Sequence, residues 1–161
     1  MARQARCVFA DALALYDIRN LDAKQLVSAA TQLLVDGIEN DAVVALACQT
    51  VTSATSPFEL DELVVRAREE LGMTVLDHDA RLLRVAQAMV RSWGRGEVDD
   101  RELASWAHSL IGHQGPDVVE RLVIIDDVFD CLECTSETPE SIHQNLVRIA
   151  AELSAMADPW E

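Results

Sequence analysis

Apolar residues recur along the chain at intervals of three and four, and no convincing stretch alternates with period two, so the sequence reads as helical throughout. Val8, Phe9, Ala12, Leu13 and Tyr16 share one face of a first helix running from about Arg6 to Tyr16. Asp22 opens a second, striped by Leu26, Ala30, Leu33 and Leu34. Gly37 closes it, because a glycine just past a helix takes the left-handed cap without strain. A short third helix follows from Asp41 to about Thr50, and then a polar loop. Ser56, Pro57 and Glu59 supply a cap, a proline at the first helical position and an acid at the third, opening a fourth helix that ends at Leu71-Gly72. The fifth runs from Asp77 or Asp79 to Trp93, and the sixth from Asp99 with Glu102 to Gly112. The seventh runs from Gly115-Pro116-Asp117 to about Glu133, and the eighth from Thr138-Pro139-Glu140 to before Asp158-Pro159. The expectation is an all-α, compact single-domain bundle of about seven to eight helices with short loops, spanning 1–161 with 158–161 as a short tail.

Two helices carry more detail. On the seventh, Val118, Leu122, Ile125, Phe129 and Leu132 line one face, while Val119, Val123, Ile124 and Val128 cover much of the rest. A helix apolar nearly all round is expected at the centre of a fold. The eighth spaces Ile142, Leu146, Ile149, Leu153 and Met156 at four-three-four-three, a seam that faces the core or a second copy; the core is the expected choice, and monomer or homodimer stays open.

Composition narrows the class. Half of the residues are hydrophobic, which excludes a disordered acidic tail. Acidic residues number 28 against 13 basic ones, for a net charge of −15, and such a surface repels phosphate backbones, so general nucleic-acid binding is not expected. The excess is uneven: residues 114–161 hold eleven carboxylates and two arginines, whereas 81–113 are near neutral with five arginines and four carboxylates. The longest apolar run, Ala42 to Cys48, falls far short of the roughly 20 residues that cross a bilayer. The first residues hold no apolar core of a secretory signal, and four cysteines are too few for a disulfide scaffold. Free, mostly buried thiols in a reducing cytoplasm are the expectation.

Four constellations carry candidate chemistry. Asp126, Asp127, Asp130 and Glu133 gather at the end of the seventh helix, where like charges four apart repel unless a cation sits opposite. They read as a metal site or an anchor for a basic partner, with Asp99, Asp100 and Glu102 as a second patch, or as a solvated face or an internal ion-pair network. Arg81, Arg84, Arg91 and Arg95 form a basic stripe on the fifth helix, opposite Leu82, Ala86, Met89 and Trp93, where guanidinium forks suit a phosphate or carboxylate. Cys131-Leu-Glu-Cys134 is a lone C-x-x-C with only His143 nearby, a weak metal alternative short of the four ligands a structural zinc takes. Glu140-Ser-Ile-His143 has the spacing of di-iron bundles but occurs once, so it does not make such a site. His78, His108 and His113 show no metal spacing, and His108 and His113 share no helix face; His108 beside Trp106 reads as packed. No metal and no cofactor is expected. No nucleophile elbow, phosphate loop or helix-turn-helix is present either.

The segment Leu15-Tyr16-Asp17-Ile18-Arg19-Asn20-Leu21-Asp22, continuing to Leu33-Leu34-Val35-Asp36-Gly37-Ile38, resembles the opening of small all-helical proteins of GC-rich bacteria. The resemblance covers about the first third of the chain, includes no catalytic motif and implies a bacterial, cytoplasmic protein. Arginine at twelve of the 13 basic positions agrees with a GC-rich source. The leading functional expectation is a non-enzymatic acidic module, immunity- or antitoxin-like, that engages a basic protein. The alternative is a small-ligand- or metal-binding helical domain, possibly an enzyme, built on the arginine stripe or on the carboxylate and cysteine cluster.

Overall fold

The computed structural model describes residues 2–52, 57–157 and 160, with the side chains of residues 2, 3 and 57 outside that description. Among the described residues there are eight α-helices, two 3-10 turns and no strand, so the fold is all-α. The helices are α1 (Ala2–Asp17), α2 (Ala23–Val35), α3 (Asp41–Ala47), α4 (Pro57–Leu71), α5 (His78–Gly94), α6 (Asp100–Leu110), α7 (Asp117–Asp130) and α8 (Pro139–Ala155). The starts follow local chemistry. Asp22, Asp77, Asp99 and Thr138 each accept a backbone N–H three residues on, satisfying a donor that the first turn leaves orphaned. Of the two possible starts for α5, Asp77 is therefore the cap. The expected Ser56 cap and the Asp158-Pro159 stop lie outside the described residues, although α4 does begin at Pro57.

The helices gather into two compact units, one holding α1 to α4 with Trp160 and the other holding α5 to α8. In the first, α1 packs on α2, α2 on α3 and α3 on α4. Phe9, Leu13, Leu26, Leu33, Val43 and Leu46 are sealed in its core, each fully removed from water. Every residue from Phe9 to Tyr16 is buried, whereas Val8, expected on the core face, is exposed. Trp160, read from sequence as part of a tail, packs against this unit: its indole N–H donates to Thr74 O at 2.8 Å, and Arg68 lies over its ring. Tyr16 donates to Asp61 at 2.9 Å, and Arg19 donates to both oxygens of the same carboxylate.

In the second unit α6 packs most extensively on α7, and α8 closes against both α5 and α7. The seam of α8 is a core seam: Ile142, Leu146, Ile149 and Leu153 are buried, while Met156 lies past the helix and is exposed. The last turn of α8 has no glycine cap, and Gln87 of α5 replaces it by donating to Leu153 O at 3.0 Å. Helix α7 packs on α5, α6 and α8, yet α5 is the more enclosed of the two. Leu82 and Arg84 through Val90 are all buried, whereas Ile124 of α7 is 47% exposed. Arg84 has no exposed surface, so the four arginines do not form a surface stripe. Helix α7 also stops at Asp130, a turn earlier than its apolar pattern suggests, and a 3-10 turn over Leu132–Cys134 follows.

Candidate functional site

A cleft of about 770 Å³ opens in the second unit where the end of α5 meets the starts of α6 and α8. Trp93, Val98, Phe129 and Pro139 form its apolar lining, and Glu97, Asp99, Asp100, Arg101, Glu102 and His143 supply its polar groups. Asp100 sits at the centre of the polar set. The Trp93 indole N–H donates to its Oδ1 at 2.7 Å, and His143 Nδ1 lies 2.9 Å from its Oδ2. A carboxylate only accepts, so Nδ1 of His143 carries the proton. The Trp93 and His143 rings pack at 5.6 Å between centroids, which locks both orientations. Asp99 and Glu102 close a reciprocal capping box at the start of α6. Arg95 hydrogen-bonds Glu97 through two nitrogens and holds that carboxyl below the usual carboxylate range, so it stays ionised.

Arg101 joins this rim to the second acidic patch. Its guanidinium stacks over Phe129 at 5.3 Å, bonds Asp130 and lies 3.6 Å from Asp126. The hydrogen bond to Asp130 raises its pKa further above the ordinary guanidinium value. The patches at Asp99 to Glu102 and Asp126 to Glu133, well separated in sequence, thus share one end of the unit. Their members differ in exposure. Asp126 is buried and bonded to His108 at 2.9 Å; Asp127 is half exposed, and Asp130 and Glu133 are exposed. Glu133 stands on the 3-10 turn, so it does not share a helix face with Asp126 and Asp130 as its spacing suggested.

The remaining candidates fall elsewhere. Arg81 donates to Leu76 O, Arg95 is taken by Glu97 and Ser92, Arg91 is half-buried and Arg84 is enclosed. Cys131 and Cys134 are exposed, as is Cys48, and Cys7 is half-buried, which corrects the expectation of mostly buried thiols. Among the described residues Cys131, Cys134 and His143 do not assemble into a three-ligand group.

A group that does assemble is the one sequence spacing argued against. His108, His113 and Asp127 each bring one donor atom within 4.8 Å of the other two. Five residues separate the histidines, but Gly112 at φ +63° ends α6 and starts a tight turn that carries His113 back beside His108, ring centroids 5.3 Å apart. Glu120 and Asp127, seven apart on α7, share the face that meets them. The signal was available as a histidine pair bracketing a glycine cap, followed by acids at a heptad interval. The pairing of His143 with Asp100 had no linear signal, since 43 residues separate them.

Comparison of the chain with family models, curated proteins and solved structures returns no match. No helix among the described residues is long and apolar enough to cross a membrane.

Proposed function

We propose that this chain is an acidic helical protein-binding module that engages a basic partner through the cleft end of its second unit, in the manner of an immunity protein or antitoxin. One observation carries the reading: the Asp99 to Glu102 patch lines an open cleft with an aromatic lining, and Arg101 on its rim reaches Asp126 and Asp130 of the second patch. Such a cleft suits an arginine side chain, which stacks on a ring face while its fork meets carboxylates. The chain's own Arg101 already lies this way, over Phe129 and against Asp130. Trp93, flanked by Asp100 and Glu97, offers a second such position to a partner. The net charge of −15 adds long-range attraction that speeds encounter with a basic surface.

The test is a titration of the isotope-labelled full chain with a tri-arginine peptide. The expected shifts concentrate on the Trp93 indole and on backbone amides from Glu97 to Glu102, and the affinity falls steeply with salt. Asp99→Asn with Glu102→Gln removes two charges while keeping an Asn cap, and weakens binding several-fold. Shifts spread over the whole surface, or an affinity indifferent to both salt and this variant, refute the proposal.

A further inference from the structure

We infer that His108, His113 and Asp127 form a binding site for one divalent transition-metal ion of the zinc type, outside the cleft although Asp127 belongs to the second acidic patch. The donor set is two imidazoles and one carboxylate, the complement of an open zinc site whose remaining position is taken by water. Spacing agrees with it. His108 Nδ1 lies 3.5 Å from Asp127 Oδ1, and His113 Nε2 lies 3.7 Å from Asp127 Oδ2. For ligands at about 2.0–2.1 Å from a tetrahedral zinc, the ligand-to-ligand edge is roughly 3.4 Å. Small rotations of side chains that are 37 to 51% exposed close the remaining gap, and the same exposure lets an ion enter.

The surroundings point the same way. Each imidazole has a further carboxylate beside it: Asp126 Oδ2 is 2.9 Å from His108 Nδ1, and Glu120 Oε1 is 3.7 Å from His113 Nδ1. At His113 the carboxylate faces the nitrogen left over from the metal, where it fixes ring orientation and raises basicity. At His108 the same Nδ1 faces Asp126 and Asp127, so a metal bound there replaces the Asp126 contact. Three carboxylates thus surround two rings, and Arg101 reaches Asp126 from its Oδ1 side while bonding Asp130. Two adjacent imidazolium ions answer that charge only by repelling each other at 5.3 Å, whereas one divalent ion answers it from a single position between them. Each ring that binds releases to solvent any proton held on its ligand nitrogen. The backbone is shaped for the juxtaposition by Gly112 and by the short turn from Gly112 to Gln114.

The experiment is calorimetric titration of the chelator-treated full chain with zinc chloride, followed by absorption spectroscopy with cobalt as a stand-in. One equivalent of zinc is expected. The cobalt form should show visible d–d bands without thiolate charge-transfer absorption. His113→Ala and the isosteric Asp127→Asn should each weaken zinc at least tenfold, with helical circular dichroism retained. Cys131→Ser with Cys134→Ser, and separately His143→Ala, should leave the affinity within twofold. The inference is overturned if no equivalent binds, which marks the group as ion-paired imidazoles only. It is equally overturned if Asp127→Asn and His113→Ala both bind as tightly as the parent, or if the double cysteine variant abolishes binding.

Discussion

Gly115 shows how a single atom position controls the turn between α6 and α7. A Cβ added there would meet Ile111 Cγ2 at 2.8 Å, with Leu82 Cδ1 and Val119 Cβ close behind at 3.8 and 3.9 Å. Ile111 is β-branched and has little room to yield. Gly115→Ala should therefore destabilise the protein by about 1–3 kcal/mol, seen as a lower urea midpoint with an unchanged slope. Asp61 acts at the same scale through protons. The hydrogen bonds from Arg19 lower its pKa, so the group binds protons less readily folded than unfolded. Its stabilisation is present above the ordinary aspartate value of about 4 and is lost as pH falls through the lower folded value. Tyr16 works in the opposite direction: burial, reinforced by its bond to Asp61, raises the phenol, so stability is lost as pH rises past about 10. Asp61→Asn should flatten the acid limb of the stability curve, and Tyr16→Phe the alkaline limb, both measured by chemical denaturation across pH.

Helix boundaries were legible in the sequence because caps are local. Asp22, Asp99 and Thr138 need only a backbone N–H three residues away, and each finds it. Removing one such acceptor has a calculable effect: Thr138→Ala should cost α8 about 0.5–2 kcal/mol, read as a lower thermal midpoint. Which helix is most enclosed was not legible. The apolar girth of α7 favoured it, yet α5, which carries three arginines and one aspartate, is the more enclosed one. Arg84 explains the difference: its long side chain lies wholly out of solvent, on the helix whose arginines pointed, by spacing, to a surface stripe. Periodicity ranks faces by composition, but only packing decides which face meets another element.

For the molecule as a whole, the charge excess sets an opposing force. With 28 acids and 13 basic residues, unpaired repulsion outweighs the attraction of pairs such as Arg121 with Glu152. Moderate sodium chloride should raise the thermal midpoint by screening that repulsion, a result that a scan at several ionic strengths checks directly. The same excess made the acidic patches readable from sequence. Their link through Arg101 was not readable, because it is made only after α6 and α7 pack. The histidine group stayed hidden for a related reason. Helical spacing describes residues within one helix, and this group spans a helix, a turn and the next helix.

The five-residue interval from His108 to His113 bears on how such chains diverge. Each residue added between His108 and Gly112 rotates the downstream backbone by about 100° around the helix axis. A one-residue insertion there would leave length class, net charge and helix content almost untouched while swinging His113 away from His108 and Asp127. Length polymorphism in this hairpin would thus separate chains able to gather these three side chains from chains that merely share the fold.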